Sequence, residues 1–194
     1  MVIAIEGVDG TGKTSVAKEL ANKLNFKYVE KPFSNVFQQD KMPKYLEIKD
    51  GLNKQKNKNL LAWFYGLNIL FCKDYFKSEN IVCDRFLVSN FSWILDETNE
   101  IIFETMLKLT ALPELTVLLT ASQDVLNRRI KERDNLDKDL CKLQYTNSAC
   151  QRSKYLLEKY RIPYIEINVD NTSISQVVEA ISKEVDKIFN QGLI

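Results

Sequence analysis

The chain has 194 residues, with 27 Lys and Arg against 26 Asp and Glu, a formal charge of +1 and no histidine. That length suits one domain with a substantial core, and the balanced charge supplies no global basic field for nucleic acid. Without imidazole, His-activated nucleophiles, His general bases and His-containing zinc sites are excluded, so catalysis has to run on carboxylates, Lys, Arg and a hard cation.

An apolar run, Val2-Ile3-Ala4-Ile5, reads as a strand. Gly7-Val8-Asp9-Gly10-Thr11-Gly12-Lys13-Thr14 follows, and then a helical pattern, Ser15–Leu24, closed by Asn25. This is the complete G-x-x-x-x-G-K-[ST] phosphate-binding loop in the strand–loop–helix context it needs. Gly7, Gly10 and Gly12 let backbone N–H groups turn inward, and the helix N-terminus adds unpaired donors and a positive dipole end. Lys13 is placed to reach β- and γ-phosphates, with the Thr14 hydroxyl on Mg²⁺.

Lys27–Glu30 is a short strand, ended by Pro32. The polar stretch from Ser34 to about Asn59 reads equally as a solvated loop with one short helix or as a mobile acceptor-site region. Leu60–Phe76 is an apolar-periodic helix. Ile81-Val82-Cys83 is an apolar strand ending in Asp84. Glu100–Leu109 is helical, Leu115–Leu119 a buried strand, Asp124–Arg133 and Ser148–Tyr160 helices, Pro163–Ile167 a strand and Ser175–Phe189 a closing helix. Strands separated by helices imply an α/β fold with a parallel sheet covered on both faces, over one domain spanning residues 1–194. Four cysteines (Cys72, Cys83, Cys141, Cys150) show no C-x-x-C spacing and read as reduced thiols of a cytoplasmic protein. No run suits a membrane span, and with a strand starting so early a signal peptide is not expected.

Two further features carry chemistry. In a sheet of this kind ligands gather at the strand C-terminal edges, so Asp84 is expected beside the phosphate loop, holding Mg²⁺ or orienting an acceptor. Arg85 next to it can grip a phosphate with its planar fork. A salt-bridged pair at a strand end would explain both residues taken alone. The run Arg128-Arg129-Ile130-Lys131-Glu132-Arg133-Asp134 ends a helix before the polar loop Asn135–Asp139. Taken alone it is better explained as a solvated helix face whose cations complement the dipole. Beside a phosphate loop it suits a basic lid.

In this order the motifs resemble the thymidylate kinase family. Ile5-Glu6-Gly7-Val8-Asp9-Gly10, Asp84-Arg85-Phe86 and Leu115–Asp139 carry the likeness, which spans residues 1 to about 190. It implies a three-layer phosphate-loop kinase fold, with ATP and Mg²⁺ as the donor system and phosphoryl transfer to a (deoxy)nucleoside monophosphate such as dTMP. The donor would be bound by Gly7, Asp9, Gly10, Thr11, Gly12, Lys13, Thr14 and Ser15, with Asp170 in the loop Asn168-Val169-Asp170 that packs on the base. Asp9 would also approach the acceptor sugar hydroxyl. Lys13, Asp84 and Arg85 would be catalytic. Because the variable loop position is Thr11, the helper arginine would come from a lid at about residues 134–147, carried by Arg129 and Arg133. Phe64 is the stacking candidate for the acceptor base. Family members are usually homodimers through helix packing, a role open to Leu60–Phe76, although core packing explains that helix equally well.

The departures lie on the acceptor side. Glu30-Lys31-Pro32-Phe33 replaces the family's arginine-glutamate-proline, no arginine precedes Arg85, and Ser89-Asn90-Phe91-Ser92 lacks the glutamine that faces thymine. Arg85 and Lys31 would then make the phosphate clamp. A deoxynucleoside kinase remains a close rival, with Glu30 as base on a 5′-hydroxyl; a carboxylate would repel an incoming phosphate dianion. A non-catalytic nucleotide-binding regulator is the alternative of another class. No Asn-Lys-x-Asp guanine signature is present, and Asn53-Lys54-Gln55-Lys56 is not one.

Overall fold

The computed structural model describes residues 1–30, 42–75, 79–94, 96–134, 136–190 and 192. Its strands are β1 (Val2–Gly7), β2 (Lys27–Glu30), β3 (Ile81–Asp84), β4 (Leu115–Thr120) and β5 (Tyr164–Asn168). They form one parallel sheet in the order β2-β3-β1-β4-β5. Its helices are α1 (Lys13–Leu24), α2 (Met42–Asn53), α3 (Lys58–Tyr75), α4 (Leu87–Ser92), α5 (Glu97–Leu109), α6 (Gln123–Arg133), α7 (Thr146–Lys159) and α8 (Ile174–Asn190), with a 3₁₀ segment at Lys138–Tyr145.

Alternation along the strands builds two cores. Ala4, Cys83 and Leu118 pack against Ala62 of α3, Phe91 of α4, Phe103 of α5 and Leu156 of α7. Ile3, Ile5, Val82 and Val117 pack against Leu20 of α1 and Val178 and Ile181 of α8. Burial on both faces gives the three-layer arrangement expected of apolar parallel strands. Gly66 brings α3 close to α5, since a Cβ there would lie 2.7 Å from the Met106 sulfur. Among the described residues no helix is long and apolar enough to cross a membrane.

The expected elements recur with shifted ends. Asn25 closes α1 in the left-handed region, its N–H reaching back to Ala21 and Asn22 carbonyls. α5 starts at Glu97, three residues before the expected Glu100, because Asp96 and Asn99 form a reciprocal capping box. The polar stretch holds a twelve-residue helix, α2, in which Tyr45 is buried. Pro32, Lys31 and Phe76 lie outside the described residues. The short α4 has no counterpart in the periodicity, because its cap comes from a distant strand, as shown below.

The turn after β1 depends on Gly7, whose φ is +141° and whose added Cβ would sit 2.5 Å from the Leu119 carbonyl oxygen. Gly7→Ala should therefore destabilise the fold by about 3 kcal/mol. At Gly12 a Cβ would meet nothing within 4 Å, so Gly12→Ala meets backbone strain alone at its φ of +86°. Denaturant midpoints of the two variants check this; equal stability would contradict it.

Candidate active site

The phosphate loop joins β1 to α1, and α1 presents its N-terminus to the strand edge. Gly12 caps it without any side-chain hydrogen bond, and no acidic residue stands in its first turn. Its leading N–H groups are thus free for an anion. Thr14 and Ser15 are exposed there. Lys13 is buried, its Nζ donating to the Val8 carbonyl at 2.6 Å and lying 3.9 Å from Asp9 Oδ1. Thr11 turns inward, its hydroxyl donating to the Val8 carbonyl at 2.9 Å. Gly10 lets α6 press on the loop, for a Cβ there would lie 3.2 Å from Ile130 and 3.3 Å from Leu126.

Parallel pairing sets Asp84 beside both Ile5 and Glu30. Thr14 donates its hydroxyl to Asp84 Oδ2 at 2.5 Å, and the Tyr28 hydroxyl reaches the same oxygen at 3.5 Å. Asp84 Oδ1 is buried and has no hydrogen-bond partner among the described residues. A buried carboxylate oxygen left over beside a hydroxyl is a hard, oxygen-only donor pair, which fits Mg²⁺ completed by phosphate and water oxygens. Arg85 follows with φ +71°, a strained left-handed backbone for a residue with a Cβ. That turn aims its guanidinium at Asp9 Oδ1, to which it donates a hydrogen bond within an ion pair.

What holds this turn is Glu6, a residue to which the sequence motifs assign no role. Its buried carboxyl accepts from the backbone N–H groups of Phe86, Val88 and Ser89 at 3.0–3.1 Å and from the Ser89 hydroxyl. It thereby caps α4 from the neighbouring strand β1. Burial pushes its pKa up against the pull of Ser89 and Arg85. The available signal was a lone charged residue in an otherwise apolar strand, on the same face as Ala4.

Asp9 is the electrostatic centre. Burial opposes its ionisation, but Arg85, Lys13 and Lys142 outweigh burial and hold its carboxyl below the usual range. Lys142, from the 3₁₀ segment, lies 3.9 Å from Asp9 Oδ2 and was not singled out by sequence. For Lys13, burial and the neighbouring Arg85 bring the pKa down to about 7, against Asp9, Asp84 and Glu6.

The two arginines of α6 point elsewhere. Arg129 donates to the Val169 carbonyl at 2.8 Å, and Asp170 accepts from the Ser122 N–H at 2.7 Å, so α6 secures the loop after β5 at both points. Arg133 is half-exposed and pairs with Asp137 and Asp139. Phe64 stacks on Tyr45 with centroids 5.6 Å apart. Its neighbour Tyr65 feels Arg85 and Lys142, although burial dominates and raises its phenol pKa. The structure thus gathers the loop residues, Glu30, Asp84 and Arg85, and keeps Arg129, Arg133 and Phe64 in other contacts.

The thymidylate kinase family model matches residues 5–181. A probable thymidylate kinase of Methanocaldococcus jannaschii is 25% identical, covering 98% of this chain and 93% of its own. A cytidylate kinase of the same organism is 26% identical, covering 98% and 94%. The solved structure of thymidylate kinase from Candida albicans shares the fold with a TM-score of 0.70, at 18% identity, covering 97% of this chain and 92% of that one.

The depressed Lys13 pKa sets a pH dependence. A phosphate-bearing ligand in the loop favours the ammonium and raises that pKa from its value of about 7. Binding above neutrality should therefore take up a proton, and affinity should weaken as pH rises from 7 to 9, by at most about tenfold per unit. Calorimetric titration in buffers of different ionisation enthalpy measures the proton. Proton release, or affinity rising with pH, would contradict it.

Proposed function

The chain belongs to the thymidylate kinase family, and from that premise we propose that it transfers the γ-phosphoryl group of ATP to a (deoxy)nucleoside monophosphate, dTMP being the first acceptor to test. The observation that carries this reading is the meeting of Lys13, Thr14, Asp84 and Arg85 at the open N-terminus of α1. Phosphoryl transfer needs positioning and positive charge more than covalent chemistry, and this edge supplies both.

On this reading Gly7, Gly10, Gly12, Thr11 and Ser15 shape the cradle, and Lys13 neutralises the phosphates. Thr14 and Asp84 would hold Mg²⁺, which would supply positive charge to the donor phosphates. Asp9, oriented by Arg85, meets the acceptor sugar, and Arg85 clamps the acceptor phosphate. Asp170 and the loop it stabilises border the base of ATP. Residues 134–147 act as a lid. Arg129 and Arg133 serve the transfer through closure, one securing the base loop and the other tying the lid to its own acids. Phe64 reaches the acceptor base from α3. Residues 1–194 work as one kinase domain in the cytoplasm.

One observation favours a second acceptor class. Glu30 stands next to Asp84 in register and hydrogen-bonds with Tyr28, a pair of acids better suited to a hydroxyl than to a dianion. A deoxynucleoside kinase is the alternative on that ground. The cytidylate kinase relative likewise leaves the base open. A non-catalytic regulator would bind ATP without turnover.

Release of ADP from ATP·Mg²⁺, with a panel of nucleosides and monophosphates, separates these readings. Monophosphates should turn over. Arg85→Lys should lower their kcat/KM by about tenfold or more, because a point charge cannot replace the planar fork, and Glu30→Gln should be milder. Loss of activity in Glu30→Gln, with nucleosides the better acceptors, would establish the rival. ATP binding without ADP release from any acceptor would leave the regulator.

We further propose a homodimer through α3, where Leu60, Trp63 and Leu67 form a stripe 44–48% exposed, extended by Ile101 of α5. Sedimentation should give a dimer that Trp63→Glu with Leu67→Glu converts to monomer. A monomeric native protein would refute the dimer.

A further inference from the structure

We propose that Lys142 is a catalytic residue, the cation of the lid segment that contacts the transferred phosphoryl group. The inference rests on the kinase reading and deepens it.

Three cations converge on the Asp9 carboxylate: Arg85 in direct contact, Lys13 at 3.9 Å and Lys142 at 3.9 Å. Two of them belong to the floor of the site, the buried loop lysine and the strand-edge arginine. Lys142 comes from a separate element, the 3₁₀ segment Lys138–Tyr145. Its side chain is 44% exposed, so it has room to move. Its Nζ lies 2.7 Å from Asp139 and 6.0 Å from the centre of the Trp93 ring. Burial opposes its charge, but Asp139 and Asp9 outweigh that and raise its pKa, so it remains an ammonium at neutral pH.

The arginines nearby are engaged differently. Arg129 is bound to the Val169 carbonyl beside β5, and Arg133 is committed to Asp137 and Asp139. Lys142 shares Asp139 with Arg133 and is the one of the three that also reaches the phosphate loop. An ammonium on a flexible stem can pass from one carboxylate to a phosphate oxygen by rotamer changes, without a new backbone fold.

In the transfer, an ionised oxygen of the acceptor phosphate bonds to the γ-phosphorus as the bond from that phosphorus to the β–γ bridging oxygen breaks. The electron pair leaves with ADP, and no proton has to move. Charge spreads over the equatorial γ-oxygens. Lys13 meets them from the loop, and Lys142 from the 3₁₀ segment, exchanging Asp139 and Asp9 for those oxygens. Its contact therefore strengthens in the transition state, which places its effect on kcat.

The test compares the full chain with Lys142→Ala and Lys142→Arg, measuring kcat, KM for ATP, ATP affinity by calorimetry without acceptor, and thermal stability. Lys142→Ala should lower kcat about 100-fold while ATP affinity and Tm stay close to native, and Lys142→Arg should recover most of the rate. A kcat for Lys142→Ala within about threefold of native, too small for a transition-state contact, overturns the assignment and leaves the kinase reading standing. So does a loss shared by kcat, ATP affinity and Tm that arginine fails to rescue, which marks a structural role. Absence of turnover in the native protein with every acceptor overturns the kinase reading, and the role of Lys142 with it.

Discussion

The carboxyl of Glu6, closed inside the protein and gripped by three backbone N–H groups and a hydroxyl, is the link on which the rest of the site depends. Glu6 immediately precedes the first glycine of the phosphate loop. Its donors immediately follow Arg85. One side chain therefore fixes the two halves of the site relative to each other. Burying a carboxyl is unfavourable, and only a full set of donors offsets it. Losing any of them leaves either a buried acid or buried N–H groups unsatisfied, each costing about 1–3 kcal/mol. The link is consequently close to all-or-none.

Around that frame the charges are arranged for an anion. Cations from the loop, the strand edge and the 3₁₀ segment share a single carboxylate, Asp9. Lys13 is so enclosed by protein that its own charge is marginal near neutrality. Such a site holds its positive charge weakly against internal repulsion and strongly against an incoming phosphate, which is the differential that phosphate binding needs. The Asp84 oxygen beside Thr14, without a partner among the described residues, has the same logic with the sign reversed.

Much of the fold and the phosphate-loop part of the candidate site was legible in the sequence, because both are local. Apolar strands, the 3.6-residue periodicity of α1, α3 and α8, and the contiguous phosphate loop each lie within a short window. Asp84 and Arg85 were legible because they end such a strand. What sequence could not show is pairing across long separations. Glu6 meets Ser89 over 83 positions, and α4 exists through that contact and not through a cap of its own. Lys142 was hidden for the same reason, its partner Asp9 lying in the first loop. Arg129 and Arg133 were read from their clustering, which says that cations are near one another but not which oxygen each one faces. The expected acceptor side was the least legible, and Lys31, read from the sequence as part of its phosphate clamp, lies outside the described residues.

The left-handed backbone at Arg85 has a consequence for how this chain can change. A glycine at that position would relieve the backbone strain of a φ of +71°, yet it would remove the guanidinium that grips Asp9. The backbone and the ion pair thus favour opposite residues at one position. Glycine at position 85 would therefore stabilise the fold only where the backbone strain relieved outweighs the ion pair lost, so this residue records a balance between the turn and the charge it carries.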